Sequence, residues 1–141
     1  MLIQSLIILG LAYLLGTSVV TGIGGLLLIL VTIAFFGLAW SGISLAIGLR
    51  TKNSESVFGI GAFLTFPLLF MSTALTPFAF MPEWIQNVSN FNPISYTVNA
   101  VRALMLNGYE WNTIIAAYAV IGLIAVLTLG ATLHLFRKVI N

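Results

Sequence analysis

The first third of the chain, from Met1 to Leu49, carries no charged side chain. As one helix it would be roughly 70 Å long at 1.5 Å per residue, whereas the hydrocarbon core of a bilayer is about 30 Å thick. The stretch therefore has to turn back once. Glycine and hydroxyl residues cluster between Gly16 and Gly25, where helix propensity falls, and they predict the turn. A first span is expected near residues 2–15 and a second near residues 26–49.

The composition of the whole chain supports a membrane protein. Of its 141 residues 60% are hydrophobic and only 6% are charged, whereas a soluble domain carries about a quarter charged residues. These values exclude a soluble enzyme and a disordered tail. The net charge of +2 forms no Lys/Arg stripe, so a nucleic-acid partner is not expected. We predict an all-α, polytopic membrane helix bundle that forms a single domain over residues 1–141.

Two further uncharged stretches complete a prediction of four spans. Residues 57–80 form the third span and residues 112–136 the fourth, with a mixed segment at residues 82–111 between them. If the spans alternate, four of the five basic residues lie on one side: Arg50, Lys52, Arg137 and Lys138. The positive-inside rule places that side, and with it both termini, in the cytoplasm.

The segment between the third and fourth spans predicts two short helices facing outward. Pro82 and Glu83 suit the first turn of a helix, because proline lacks a donor there and an acid interacts favourably with the helix dipole. Asn92 followed by Pro93 is a second helix start, with asparagine as the cap and proline at the first helical position.

Side-chain spacing in this segment indicates a broken helical hairpin that dips into, or lies on, the outer leaflet. Ser95, Asn99 and Arg102 fall on one face of the second helix, apart from an apolar face. Trp84 and Tyr96 carry rings suited to headgroup depth. A structured loop that caps the bundle is the alternative.

The residues needed for catalysis are nearly absent. The only histidine is His134, without an acid nearby in sequence, and the three glutamates fall on opposite sides of the predicted membrane. The Gly22–Gly25 stretch lacks the Lys-Ser/Thr of a phosphate loop. We therefore expect no enzyme activity, no cofactor and no metal on this chain, and any ATP would be hydrolysed by another subunit. Coupled carriers bury ionisable groups at mid-membrane depth, so a partner-powered permease or a passive element is favoured, with an amphipathic substrate.

Two side-chain patterns within the spans have structural and functional interpretations. The third span carries aromatic residues that could line a substrate path or face lipid, together with two prolines, of which Pro67 predicts a kink; the residues concerned are Phe63, Phe66, Pro67, Phe70, Pro77 and Phe78. The second span repeats small residues on one face, which predicts close helix packing; they are Gly37, Ser41, Ser44 and Gly48.

Three blocks of sequence resemble one known family. They are the proline-led run Phe66–Pro77, the Met81-Pro82-Glu83-Trp84 block, and Asn92-Pro93-Ile94-Ser95-Tyr96 with Arg102 soon after. Their pattern and order resemble the ATP-binding cassette type-2 permease family, which includes daunorubicin-resistance-type drug permeases and polysaccharide export permeases. The resemblance extends from about Arg50 to the C-terminus.

The resemblance implies a permease subunit of an exporter for an amphipathic drug, lipid or lipid-linked glycan, in a bacterial or archaeal plasma membrane. Two permeases, either identical or different, would pair with ATPase subunits. Members of the family carry six spans, so this chain corresponds to the C-terminal two-thirds and is expected to lack two N-terminal spans. A non-transporting membrane scaffold and a passive oligomeric channel are the alternatives.

The resemblance also gives the loop after the second span a role. It implies a short coupling helix seated in a groove of the ATPase, with Arg50, Lys52 and Glu55 as contacts and Asn53 or Ser54 as its cap. A short solvated loop that only obeys the charge rule is the alternative interpretation.

Overall fold

The computed structural model describes residues 2–140, which form helices joined by turns and no β-strand. The all-helical prediction is therefore confirmed for this part of the chain. The helices are α1 (Leu2–Leu14), α2 (Gly22–Thr51), α3 (Ser54–Phe70), α4 (Glu83–Ser89), α5 (Pro93–Arg102) and α6 (Trp111–Ile140), with a 3₁₀ turn at Phe78–Phe80 and a π-helical turn at Ala103–Asn107. Of these, α2 and α6 are long and apolar enough to cross a membrane, whereas α1 and α3 are shorter apolar helices.

The centre of the fold is the parallel pair of α2 and α6. Hydroxyl groups join the two helices at three levels, and the partners advance in the same direction along both: Thr32 Oγ1 with Tyr118 Oη at 3.0 Å, Thr128 Oγ1 with the Ala39 carbonyl at 3.1 Å, and Thr132 Oγ1 with the Gly42 carbonyl at 3.0 Å. Between them lie two apolar clusters, one around Ile29 and Ile114 and one around Ala39 and Ile121. At 30 residues each, these helices are about 45 Å long, more than the hydrocarbon core requires.

The small-residue face predicted on α2 does not form the interface with α6. Gly42 lies there instead, with Thr128 against it. Gly48 lies against Val57 of α3, and Ser44 lines a groove between α2 and α3. At the predicted face Gly48 therefore contacts α3, whereas Ser44 borders an open groove and Ser41 is exposed. The reason is the angular offset along α2, which turns Ala39 and Gly42 toward α6 and Gly48 toward α3.

The turn between the first two helices is shorter than predicted. It covers residues 15–21, and α2 begins at Gly22 rather than near residue 26. Gly16 and Gly22 adopt positive φ angles of 88° and 66°, which glycine tolerates without a steric cost. Gly24 and Gly25 continue the helix, because packing outweighs their weak helix propensity. Gly25 is buried.

The predicted third span, residues 57–80, is wrong at its C-terminal end. Helix α3 ends at Phe70, and residues 71–77 form a turn. The Ser72 hydroxyl donates to the Leu69 carbonyl at 2.7 Å and competes with the helical bonds there. Pro67 does lie inside the last turns of α3, whereas Pro77 lies outside the helix.

Helix α6 runs past the predicted end at residue 136. Arg137 and Lys138 lie in its last turn, where cations interact favourably with the helix dipole. The segment at residues 82–111 forms the two predicted helices, α4 and α5, and α5 packs against α6 and α2.

Candidate functional site

The parallel arrangement of α2 and α6 brings four basic residues to one end of the fold. Arg50 lies in the last turn of α2 and Lys52 directly follows that helix. Arg137 and Lys138 lie in the last turn of α6. The α4–α5 hairpin lies toward the opposite end, next to the N-terminal end of α6 at Trp111. The charge distribution is therefore polarised along the axis of the molecule.

The loop between α2 and α3 contains only Lys52 and Asn53. Lys52 adopts a left-handed conformation with φ of 52°, and its N–H donates to the Gly48 carbonyl at 2.8 Å. The Asn53 side chain accepts a hydrogen bond from the Glu55 N–H at 2.8 Å and caps α3, so of the two cap residues that the resemblance implied, Asn53 is the one that caps. The separate short helix that the resemblance implied does not form, because two linking residues are too few for a helical turn.

The proposed contact residues in this loop are nevertheless accessible together. Arg50 lies in the last turn of α2 and Glu55 in the first turn of α3, so they lie on either side of the two linking residues. The side chains of all four residues, Arg50, Lys52, Asn53 and Glu55, are exposed. They form a small charged surface on two helix ends.

At the other end of α3, a group of hydrogen-bonded polar residues joins the turn after α3 to one face of α5. We call Thr73, Asn92, Ser95, Asn99 and Arg102 the polar junction. Thr73 is bonded through three atoms: its N–H donates to Ser95 Oγ at 3.2 Å, its hydroxyl donates to Asn99 Oδ1 at 2.8 Å, and its carbonyl accepts from Arg102 Nη2 at 2.8 Å. The predicted polar face of α5 thus binds a single residue.

Asn92 completes the junction because its two amide atoms serve different helices. Its Oδ1 accepts from the Ile94 N–H at 3.0 Å and caps α5, and Pro93 occupies the first helical position, as predicted. Its Nδ2 donates to the carbonyl of Leu68, in the last turn of α3. Asn92 is only 1% exposed, so water does not compete for either bond.

Three residues of the polar junction are buried, Asn99 is partly buried and Arg102 is exposed. Thr73 is 5% exposed and Ser95 is 3% exposed, and Ser95 also shares a hydrogen bond of 2.8 Å with Ser89. Within residues 2–140, no buried side-chain N or O atom lacks a partner. Removing one partner would leave a buried polar group unsatisfied, at a cost of about 1–3 kcal/mol. Beside the junction is a pocket of about 100 Å³ lined by Thr73, Phe78, Ser89, Asn90, Ser95, Tyr96 and Asn99.

The sequence analysis missed Thr73. The spacing of Ser95, Asn99 and Arg102 identified a polar face but not its partner, because the partner lies 22 to 29 residues away in sequence. The hydroxyl-rich pair Ser72-Thr73 before Pro77 is the signal in the sequence, but it falls inside the predicted third span.

A second set of hydrogen bonds ties the α1–α2 turn to the π-helical turn after α5. The Val20 N–H donates to the Met105 carbonyl at 3.0 Å, and the Thr21 hydroxyl donates to the Leu104 carbonyl at 2.7 Å. The Tyr109 hydroxyl donates to the Thr21 carbonyl at 3.2 Å. These two carbonyls lie in the last turn of the helix, where no helical N–H is available to them. The turn and the hairpin consequently lie at the same end of the fold, as the alternating spans predicted.

The phenylalanines of α3 face away from the rest of the chain. Phe63 is 76% exposed and Phe70 is 65% exposed. Phe66 is 58% exposed and lines one side of the groove between α2 and α3, opposite Trp40; the groove is about 570 Å³ in volume. These surfaces are available to lipid, to another helix or to a substrate, so the substrate path stays a prediction.

The aromatic residues of α4 and α5 differ in exposure. Trp84, in the first turn of α4 after Pro82 and Glu83, is 60% exposed. Tyr96 is partly buried, and its hydroxyl donates to the Asn90 carbonyl at 2.8 Å, so it ties α5 back to the turn before it. His134 is exposed on α6, and the described chain holds no cluster of three His, Cys, Asp or Glu residues.

Comparison with known proteins gives consistent matches. The sequence profile of the ABC-2 type transporter family matches residues 1–106. The chain is 33% identical over 119 residues to the daunorubicin resistance ABC transporter permease protein DrrB1 of Streptomyces coeruleorubidus, which is 83% of this chain and 40% of that protein. It is 35% identical over 92 residues to the transport permease ycf38 of Pyropia yezoensis, 65% of this chain and 30% of that protein. The chain thus spans less than half the length of these relatives. No solved structure matches it.

Proposed function

Because the chain belongs to the ABC-2 type transporter family, we propose that it is the transmembrane part of an ATP-binding cassette exporter powered by a separate ATPase subunit. Members of this family are membrane transport permeases rather than catalytic subunits. The proposed cargo is an amphipathic drug, lipid or lipid-linked glycan that leaves the cell. The proposed location is the plasma membrane of a bacterium or archaeon.

The observation that carries the proposal is that the three blocks of the family resemblance meet in one structure. The run that ends at Pro77 supplies Thr73, and the Asn92-Pro93 block supplies the cap and polar face of α5. The Met81-Pro82-Glu83-Trp84 block starts α4, between the other two. Blocks that are separated in the sequence are therefore neighbours in the folded chain.

The chemistry of the helices supports an amphipathic cargo. The groove between α2 and α3 is lined mainly by apolar and aromatic side chains, among them Trp40, Phe58 and Phe66. Apolar and aromatic walls bind amphipathic molecules without counter-charges. A curated relative is named for resistance to daunorubicin, which fits this class of cargo.

The proposed site for the ATPase is the charged surface made by Arg50, Lys52 and Glu55. It lies at the basic end of the α2–α6 pair, which the positive-inside rule assigns to the cytoplasm. Four transmembrane passages with both termini cytoplasmic fit this orientation. A second permease, either an identical copy or a different one, would complete the transporter.

Two measurements test the proposal: whether an ATPase co-purifies with the permease, and whether substitutions in the α2–α3 loop reduce substrate-stimulated ATP hydrolysis. The tagged permease is purified from its native membranes, and co-purifying proteins are identified by mass spectrometry; an ATP-binding cassette ATPase is expected. The triple variant Arg50→Gln, Lys52→Gln, Glu55→Gln should insert normally and lose most substrate-stimulated ATP hydrolysis in proteoliposomes. One charge swap alone should have a modest effect, since an exposed ion pair contributes about 0–1 kcal/mol.

Lys138→Gln is the matched control. It removes the same net charge at the same end of the fold but lies on α6, away from the loop. Stimulation that is unchanged in the triple variant would mean that the loop is only a connector. Absence of any ATPase partner would favour a scaffold or a passive channel.

A further inference from the structure

We infer that the polar junction transmits movement of α3 to the outer hairpin, with Thr73 and Asn92 as positioning residues. This inference rests on the proposed function, because the movement would originate at the ATPase-facing loop. It assigns a role to residues that bind neither the ATPase nor the cargo.

Helix α3 leads directly from the charged loop to the junction. It begins at Ser54, next to the Asn53 cap, and runs without interruption to Phe70. At about 1.5 Å per residue this is a continuous rod of roughly 25 Å. If the N-terminal end of α3 is displaced, the residues that follow Phe70 therefore move with it.

The packing of α3 makes its C-terminal end the main attachment to the hairpin. No residue of α3 is buried, and its phenylalanines face outward. The buried residues appear immediately after the helix, at Ser72 and Thr73. Since α3 packs on α2 without a fully buried residue, the hydrogen bonds at the junction are what fix its end to α5.

The geometry of these bonds suits the transfer of movement. Three of them involve backbone atoms of the α3 side, namely the Leu68 carbonyl and the N–H and carbonyl of Thr73. Ser95, Asn99 and Arg102 span about 10 Å along one face of α5. Attachment to the backbone at several levels resists both sliding and rotation, so the end of α3 and α5 move as one body.

Each of two variants removes one hydrogen bond of the junction while preserving the local fold. Thr73→Val removes the hydroxyl that bonds Asn99 but retains the shape of the side chain. Asn92→Ser retains a good helix cap but is too short to reach the Leu68 carbonyl. Thr97→Val is the matched control, because Thr97 is also buried, at 8% exposed, and its hydroxyl bonds only its own helix at the Pro93 carbonyl.

The readout is the accessibility of the outer hairpin during the ATP cycle. A cysteine is placed at the exposed position Asn87 of α4, and its reaction rate with a membrane-impermeant maleimide is measured in the permease–ATPase complex, with and without ATP plus vanadate. In the parent and in Thr97→Val, ATP plus vanadate should change the rate at least threefold. In Thr73→Val and Asn92→Ser, that change should fall below 1.5-fold while ATP hydrolysis continues, and Thr73→Ser should restore it.

The outcomes separate the two proposals. A full response in Thr73→Val and Asn92→Ser would overturn the inference and leave the proposed function intact, as would an equal loss in Thr97→Val. A failure of Thr73→Ser to restore the response would also overturn it. A parent complex that shows no response to ATP would overturn the proposed function and the inference with it.

Discussion

At the scale of single residues, Gly42 determines how closely α2 and α6 pack. A Cβ atom built at Gly42 would lie 2.5 Å from Thr128 Oγ1 and 2.8 Å from Thr128 Cβ. It would also lie 3.3 Å from the carbonyl carbon of Thr128, so a rotation of the threonine side chain cannot relieve the whole contact. The Gly42 carbonyl also accepts a hydrogen bond from Thr132 at 3.0 Å, which requires the same close approach.

Gly42→Ala should therefore destabilise the protein by about 1–3 kcal/mol, the usual cost of overpacking. Thermal unfolding of the purified protein in detergent measures the loss. Gly130→Ala on α6 is the control, because nothing lies within 4 Å of a Cβ there. Equal effects of the two substitutions would contradict a special role for Gly42.

At the scale of elements, the contact between the α1–α2 turn and the π-helical turn connects segments that are 83 residues apart in sequence. The last carbonyls of the π-helical turn have no donor within the helix, and Val20 and Thr21 bond to two of them. The Tyr109 hydroxyl donates a hydrogen bond to the Thr21 carbonyl. Helix α1 has no buried residue of its own, so these bonds are a substantial part of what positions the turn.

Thr21→Val should loosen this contact. Losing one hydrogen bond of about 0.5–1.5 kcal/mol should speed amide hydrogen exchange in residues 103–110 about two- to tenfold. Exchange in the α2–α6 interface should stay unchanged. Thr113→Val is a suitable control, since its hydroxyl bonds only the neighbouring Glu110 at 3.3 Å. Unchanged exchange in residues 103–110 of Thr21→Val would show that packing alone holds the turn.

At the scale of the whole molecule, α2 and α6 are parallel, so the chain between them has to return from one end of the fold to the other. The chain leaves α2 at its basic end and enters α6 at the hairpin end. Helix α3 and the turn after it cover that distance, so the loop and the hairpin lie at opposite ends of the fold. The positive-inside rule assigns the loop to the cytoplasm.

A cysteine at Asn53 should consequently react with an impermeant maleimide only from the cytoplasmic side. A cysteine at Asn87 should react only from the outside. Intact cells compared with inverted membrane vesicles supply the two sides, and the protein is otherwise free of cysteine. Reaction of both positions from the same side would contradict four alternating spans.

Several features of this protein could be predicted from the sequence because they depend on neighbouring residues. The charge-free stretch from Met1 to Leu49 requires apolar helices with a turn between them. The cap at Asn92 was predicted correctly, since capping joins an asparagine to an N–H two residues later. Family membership was also predicted from short blocks, and the profile match confirms it. The roles of the charged loop and of the α3 phenylalanines stay predictions.

Only the tertiary structure decided where helices end and which faces meet. Helix α3 stops at Phe70 because Thr73 is bonded to α5, 22 to 29 residues further along. Helices α2 and α6 meet at Gly42 through partners 86 to 90 residues apart. In an apolar chain most helix faces have similar hydrophobicity, so periodicity does not distinguish a buried face from an exposed one. The sequence therefore determined that helices form and where they are capped, while close packing and buried hydrogen bonds between distant residues decided their lengths, their partners and the polar junction.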